Sequence, residues 1–493
     1  MRQRQARSST GQRWVLALSS VASFMVVLDL LVVATALRSI QRDLGASLED
    51  LEWTVNAYTL SFAVLLMTAA ALGDRFGRRR VFAIGLGLFA AASAACALAP
   101  GTGALIAARS VQGAGAATVM PMALALLNEA FPPERRGWAT GIYGSVTGLA
   151  ALLGPVLGGA VTQGIAWEWI FWLNVPIGLV AIPLVLTRVR EGYGPGGTID
   201  LAGLALAAAA ALGLVWGLVR ANAVGWSSPE IVALLAGGVL LTVAFVAWES
   251  RARAPMLPLR LFRSRAFSAG NAVIFFLNAT LTGAVFMTAQ FLQVTSGYGP
   301  LDAGLRLLPW GIAPLLVAPR AGALADRFGE RRLIVAGMAL FAAGMAWLAL
   351  IAAPDLGYAS MAASMVVSGT GFSLAIPAVT KAVVGSVAPR DIGTASGAYT
   401  TMRQLGGAFG VAILGAIFAA SGSYASGAAF SDGYAPAIAA GAAMALAGAL
   451  AGLALPRRPR PSTPLASETT GHDHEASAGP ARDAETATTV PGS

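Results

Sequence analysis

The sequence predicts an all-α integral membrane protein of fourteen spans, arranged as two six-helix bundles plus two extra central transmembrane helices. Three observations predict it. Apolar residues make up 56% of the 493 residues, charged residues only 12%, and the mean hydropathy is +0.69. A soluble domain carries about twice that share of charge, so lipid must be the main solvent. Apolar stretches long enough to cross a bilayer, about 20 residues each at 1.5 Å rise, recur along the chain. Hydrocarbon offers no partner to an unpaired amide, so these stretches must be helices. Finally, an eight-residue segment occurs twice, its aspartates at 74 and 326, and divides the chain into halves.

The spans of the first half fall near 14–37, 53–72, 81–99, 104–127, 138–162 and 170–187. The extra pair lies near 198–219 and 230–248, and the second half near 269–290, 303–319, 333–353, 356–380, 393–420 and 435–455. The expected domains are an N-terminal segment at 1–13, a first bundle at 14–187, a linker with the extra pair at 188–248, a basic loop at 249–268, a second bundle at 269–455 and a tail at 456–493. The Arg-rich start resembles the opening of a signal peptide. The apolar stretch nevertheless continues to Leu37 with no small-residue cleavage site, so a retained first span is expected. The tail is rich in Pro, Ser, Thr, Ala and Glu without apolar periodicity, and disorder is expected there.

The net charge of +9 could suggest nucleic acid, but position decides. Nearly all basic residues fall in connections on one side of the spans. The exceptions are Arg38, Arg42 and Arg220 on the other side, with Arg109, Arg306 and Arg403 inside spans. This is the positive-inside pattern, and it predicts a multi-pass protein of the cytoplasmic membrane with both termini in the cytoplasm. The basic balance is topology; no nucleic-acid partner is expected. The loop from Arg251 to Arg265 fits either an amphipathic segment on the inner leaflet or an ordinary positive-inside loop. His472 and His474, the two histidines, lie in the tail, so the spans hold no imidazole and no metal site is expected. One cysteine excludes a disulfide framework.

The repeated octets, Leu72-Gly73-Asp74-Arg75-Phe76-Gly77-Arg78-Arg79 and Leu324-Ala325-Asp326-Arg327-Phe328-Gly329-Glu330-Arg331, follow the second span of each half. They resemble the cytoplasmic signature loop of the major facilitator superfamily. The resemblance implies a gating loop in which Asp74, Arg75, Gly77, Arg78, Asp326, Arg327 and Gly329 make contacts in one conformational state only. The alternative is a surface turn that anchors topology. Ala70 stands where the first copy usually has Gly, and Glu330 where the second usually has Arg.

Arg109-Ser110-Val111-Gln112-Gly113-Ala114-Gly115 in the fourth span is similar to the family's second signature. A buried Arg costs several kcal/mol on insertion scales and needs a counter-charge. Its candidate partner is Asp29, the one acid near the middle of a predicted span. A carboxyl whose neighbours change between states can take up and release a proton, which makes Asp29 with Arg109 the candidate proton-coupling pair. A static pair that fixes helix packing is the alternative. Leu28 to Leu37 resembles the first-helix motif of the family's drug exporters, with Leu31, Ala34 and Arg38 where Thr, Asn and Pro are common. Gly154-Pro155-Val156-Leu157-Gly158-Gly159 resembles the antiporter signature, with Ala150 in place of its leading Gly; a packing seam explains it too. Trp167 to Gly178 resembles the fifth-to-sixth connection of fourteen-helix drug:proton antiporters, with Glu168 where Arg is usual.

The sole lysine, Lys381, lies between Thr380 and Ala382, so no P-loop exists and ATP hydrolysis is excluded as a drive. No cofactor is expected, and the proton gradient would supply the energy. Candidate cavity residues are Asn56, Tyr58, Asn278, Gln290, Trp310, Tyr399, Arg403 and Gln404. Together these readings imply a monomeric proton-coupled exporter of amphiphilic drugs, toxins or antibiotics, not an enzyme. A symporter, an exporter of one metabolite and a non-transporting receptor stay open as rivals.

Overall fold

Each helix begins and ends where local chemistry requires it. The computed structural model describes residues 2–194, 200–253, 255–353, 357–388 and 391–456. The first half comprises α1 (Arg2–Leu44), α2 (Leu48–Phe76), α3 (Arg78–Ala97), α4 (Thr102–Ala130), α5 (Pro133–Gly164), the one-turn α6 (Trp169–Trp172) and α7 (Asn174–Arg188). The extra pair is α8 (Leu201–Val224) and α9 (Pro229–Glu249). The second half comprises α10 (Arg265–Val294), α11 (Pro300–Arg306), α12 (Leu308–Phe328), α13 (Glu330–Leu350), α14 (Tyr358–Val384), α15 (Ile392–Ser421) and α16 (Gly427–Leu453). No strand occurs among the described residues.

Thirteen helical stretches among the described residues are long and apolar enough to cross a membrane. The expected span at 303–319 is instead two helices, α11 and α12, parted at Leu307. Pro309, at the start of α12, lacks the amide that would carry the ladder through. The second span also starts earlier than expected. Ser47 caps α2, and Asp50 completes a reciprocal capping box, so a helix placed at 53–72 begins at Leu48 and draws Glu49, Asp50 and Glu52 inside. The expected tail lies outside the described residues except for Pro456.

The two octets make the same turn. Gly77 (φ +106°) joins α2 to α3 and Gly329 (φ +86°) joins α12 to α13. A side chain at either φ would be strained, which explains why both copies carry Gly there. These turns mark one end of the bundle, the octet end; α1 and α15 run away from it to the far end. At the far end the halves are joined. Leu301 N donates to Gln163 Oε1 (3.1 Å) between α11 and α5, and Gln293 Nε2 to the Thr35 carbonyl (3.1 Å) between α10 and α1. Further inward the halves also meet along α2 and α15, the α2–α15 line, where Thr401 Oγ1 donates to the Ala63 carbonyl (3.2 Å).

The extra pair sits beside this line and touches both halves. Trp216 of α8 packs edge-on against Trp53 of α2 (5.4 Å), Arg220 pairs with Glu49 (3.5 Å), and Asn222 donates to the Ala416 carbonyl of α15. In the following loop Leu257 and Leu261 are buried in the protein, with a 3-10 turn at Leu259–Arg263. Those apolar groups therefore face the core rather than a leaflet. Arg260 closes the loop with a two-pronged bond to Asp391 (2.9 and 2.6 Å), which holds the guanidinium pKa above its ordinary value.

Candidate functional site

Asp29 and Arg109 meet inside the first bundle. Arg109 Nη1 lies 2.5 Å from Asp29 Oδ2, with Asp29 1% and Arg109 0% exposed. Gln112 Nε2 and Asn174 Nδ2 each donate to Asp29 Oδ1 at 2.8 Å. Both amides also reach Ser93 Oγ, at 2.7 and 3.3 Å. Arg109 is held in turn by Gln112 Oε1 (2.6 Å), by the Thr54 carbonyl (3.1 Å) and by the Tyr58 ring, 4.2 Å beneath its Cζ. Tyr58 is anchored by its hydroxyl on the Val26 carbonyl (3.1 Å). The site thus draws on α1, α2, α3, α4 and α7.

Both Asp29 oxygens accept from donors, one of them cationic. The bond to Arg109 is charge-assisted, so it is the strongest of the three and depends most on a negative carboxylate. Gln112 and Asn174 lie in stretches with recognisable motifs, yet a neutral amide gives no charge signal, and sequence reasoning passed over both. Ser93 carries no signal at all.

The antiporter-like glycines line two crossings. Gly154 and Gly158 put α5 against Leu31, Val32 and Thr35 of α1, inside the first bundle. Gly159 faces Pro300 and Leu301, and Gly304 faces Pro155, across the seam between halves. Among the described residues, the ion pairs of the octets do not cross that seam. Arg78 pairs with Asp74 (2.8 Å) and Glu129 (3.2 Å), while Glu191 accepts from the Arg79 amide (2.8 Å) and lies 3.5 and 3.6 Å from the Arg79 and Arg80 side chains. Asp74, Arg78, Arg79, Arg80 and Glu129 belong to the first half, and Glu191 to the segment just after α7. Arg75 and Arg327 lie over the neighbouring Phe76 and Phe328 rings. In the second copy Glu330 pairs with Lys381 (3.2 Å); the Asp326 side chain lies outside the described residues.

The expected cavity residues do not gather in one place. Tyr58 belongs to the Asp29 site. Gln290 accepts from Tyr424 at the far end, and Trp310 donates to Ser368 (2.7 Å) inside the second bundle. Gln404 and Asn56 are buried with unpaired amide atoms. Asn278 donates to the Arg403 carbonyl (2.7 Å), and Tyr399 shares a hydrogen bond with Thr380 (2.9 Å). Arg403 is within electrostatic reach of Tyr399 and of Tyr143 on α5. Tyr143 shares a hydrogen bond with Ser23 of α1 (2.8 Å), and the sequence did not single it out. A separate apolar cavity of about 60 Å³, near Met67, Met256 and Leu405, is far below the few hundred Å³ that a drug-sized ligand fills.

A model of the Major Facilitator Superfamily matches residues 19–411 and 271–485. The chain belongs to this superfamily. It is 37% identical over 413 residues to the tetracenomycin C resistance and export protein of Streptomyces glaucescens, covering 83% of this chain and 76% of that one. It is 34% identical to the methylenomycin A resistance protein of Bacillus subtilis, covering 86% and 91%, and 34% identical to the multidrug resistance protein Stp of Mycobacterium tuberculosis, covering 83% and 76%. The fold matches a bacterial homologue of the lysosomal transporter Spinster in its inward-facing, unoccupied conformation (TM-score 0.64, 16% identity, 90% and 96% covered). It also matches the xylose transporter XylE from E. coli in a partially occluded inward-open conformation (TM-score 0.61, 15% identity, 89% and 98% covered). The protein is therefore a multi-pass transporter of the cell membrane, from a superfamily of transporters rather than enzymes.

Proposed function

We propose that this superfamily member is a proton-coupled antiporter that exports amphiphilic drugs, toxins or antibiotics by alternating access, as a monomer and without a cofactor. The observation that carries the reading is the Asp29 cage: a carboxyl group fully buried in a membrane bundle and bonded by Arg109, Gln112 and Asn174 while the halves meet at the far end. The similar antibiotic-resistance and export proteins support the direction and the substrate class. Both termini and the octet end face the cytoplasm, following the positive-inside bias, so the far end is the outer one. A proton from outside loads Asp29 while the outer end is open, loosening its bond to Arg109. Closure and inward opening release it, and the inward-open state takes substrate between the bundles, on the side where Arg403, Tyr143 and Tyr399 approach one another. One charge moved is worth roughly 2.3 kcal/mol per 100 mV and one pH unit about 1.4 kcal/mol.

The test is transport in proteoliposomes with an imposed pH gradient and a fluorescent lipophilic cation. Counterflow of cation against protons is expected, and its direction should reverse with the gradient. Cation moving with protons would replace antiport by symport; no gradient-driven movement would remove the transport reading.

The octet turn acts as a gate element within the first bundle, holding α2, α3 and the end of α7 in register. Glu191→Gln keeps an acceptor for the Arg79 amide but discharges its pairs with Arg79 and Arg80. Partly exposed pairs are worth about 0.2–1 kcal/mol each, so losing both should lower efflux by roughly thirtyfold at most, with membrane expression unchanged. Efflux assays in cells check it; full activity would leave the turn to its backbone alone.

A further inference from the structure

Glu52 is a second buried acid, and the coupling scheme above does not use it. It lies near the outer start of α2 and is 2% exposed. Its Oε2 has no hydrogen-bond partner, and no cation among the described residues lies within ion-pair distance of it. The carboxyl points across the seam: a Cβ built on Gly415 of α15 would fall on its Oε1 and Cδ. The second bundle thus leaves open the volume that this carboxyl fills.

The surrounding charges do not neutralise it. On its own helix stand Glu49 and Asp50; Arg220 of α8 pairs with Glu49 (3.5 Å) and Glu230 (2.8 Å) instead. Arg109 of α4 reaches the Thr54 carbonyl, on a different face of α2. Between α15 and α16, Tyr424 donates its hydroxyl to Gln290 of α10, with Arg38 of α1 over its ring at 5.7 Å. Burial pushes the Tyr424 phenol far above its ordinary value, the Glu52 carboxyl adds to that, and Arg38 opposes it. One turn further, the amide of Asn56 is also buried and unpaired.

The contrast with Asp29 decides what Glu52 does. Asp29 is supplied with a cation and two amide donors. Glu52 has none, and burying an ionised carboxylate without partners costs several kcal/mol more than burying the neutral acid. We propose that Glu52 is a second proton-binding site, on the outer seam between the bundles, loaded as α2 and α15 close and emptied to the same side when they part. It carries no net proton across the membrane. It makes outer closure easier in acid and harder in alkali on that side, which is the direction that returns an exporter inward after release. The inference rests on the proposed opening and closing of the outer end.

Spin labels on Asp43→Cys and Ala425→Cys, both exposed at the outer end and on different halves, would read the seam width in nanodiscs, in a Cys96→Ser background. In the otherwise wild-type protein the short distance should dominate in acid, and a longer one should grow as pH rises. The isosteric Glu52→Gln should stay short at every pH, and Glu52→Asp should respond with a shifted midpoint. A pH-independent wild type, an unshifted Glu52→Asp, or a Glu52→Gln that opens like the wild type would overturn the proposal. The measurement uses neither gradient nor drug, so it can fail while vesicle transport succeeds, and the reverse.

Discussion

Asp29→Asn is expected to abolish uphill export. In an electroneutral one-for-one exchange, a gradient of one pH unit sustains at most about a tenfold substrate ratio, and without a titrating group that ratio should fall to one. The substitution also removes the counter-charge from a fully buried guanidinium, which costs about 3–5 kcal/mol when one partner of a buried pair is lost. A collapse of transport by itself could therefore reflect a weakened fold. The double variant Asp29→Asn, Arg109→Gln separates the two effects. Discharging both partners should restore much of the thermal stability, because effects within a contacting pair do not add. Gradient-driven accumulation should stay absent. If the double variant regains both stability and accumulation, the pair is a packing element and the proton travels elsewhere.

The pair itself was legible because charge inside a membrane span is costly and therefore conspicuous; one acid and one Arg at matching depths leave few alternatives. The turns at Gly77 and Gly329 were legible for a similar reason, since only Gly tolerates their φ. The rest of the cage was not. Gln112 and Asn174 sit three and sixty-five positions beyond Arg109, and only the approach of α4 and α7 to α1 turns them into ligands of Asp29. Glu52 was missed for a different reason. Three acids between 49 and 52 read as the end of a lipid-facing stretch, whereas the Ser47–Asp50 capping box extends α2 past them and carries the third into the seam. Hydropathy reports where lipid solvates a segment, and it cannot report where one helix shields another. The scattered cavity residues show the same limit: polar type marks a side chain as notable without saying which bundle faces it.

Gly159→Val is expected to stop turnover while leaving the Asp29 cage intact. A Cβ at this position would fall 2.6 Å from Leu301 Cα and against the Pro300 carbonyl oxygen, both backbone atoms of α11 that cannot rotate away. The outer ends of α5 and α11 could then not approach as closely as they do here. Overpacking of a tight contact costs about 1–3 kcal/mol, and each 1.4 kcal/mol moves a two-state balance tenfold, so the population should shift strongly toward outer-open. Gly164→Val is the control on the same helix, because nothing lies within 4 Å of a Cβ there. Gly158 offers a second contrast: its Cβ would meet Val32 and Thr35 of α1, within one bundle, so substitution should lower stability rather than bias the state. Spin-label distances across the outer end and efflux from vesicles read both properties. Transport by Gly159→Val equal to that of Gly164→Val would mean that outer closure does not require the α5–α11 crossing. The glycine would then serve assembly, and gating would fall to the α2–α15 line where Glu52 stands.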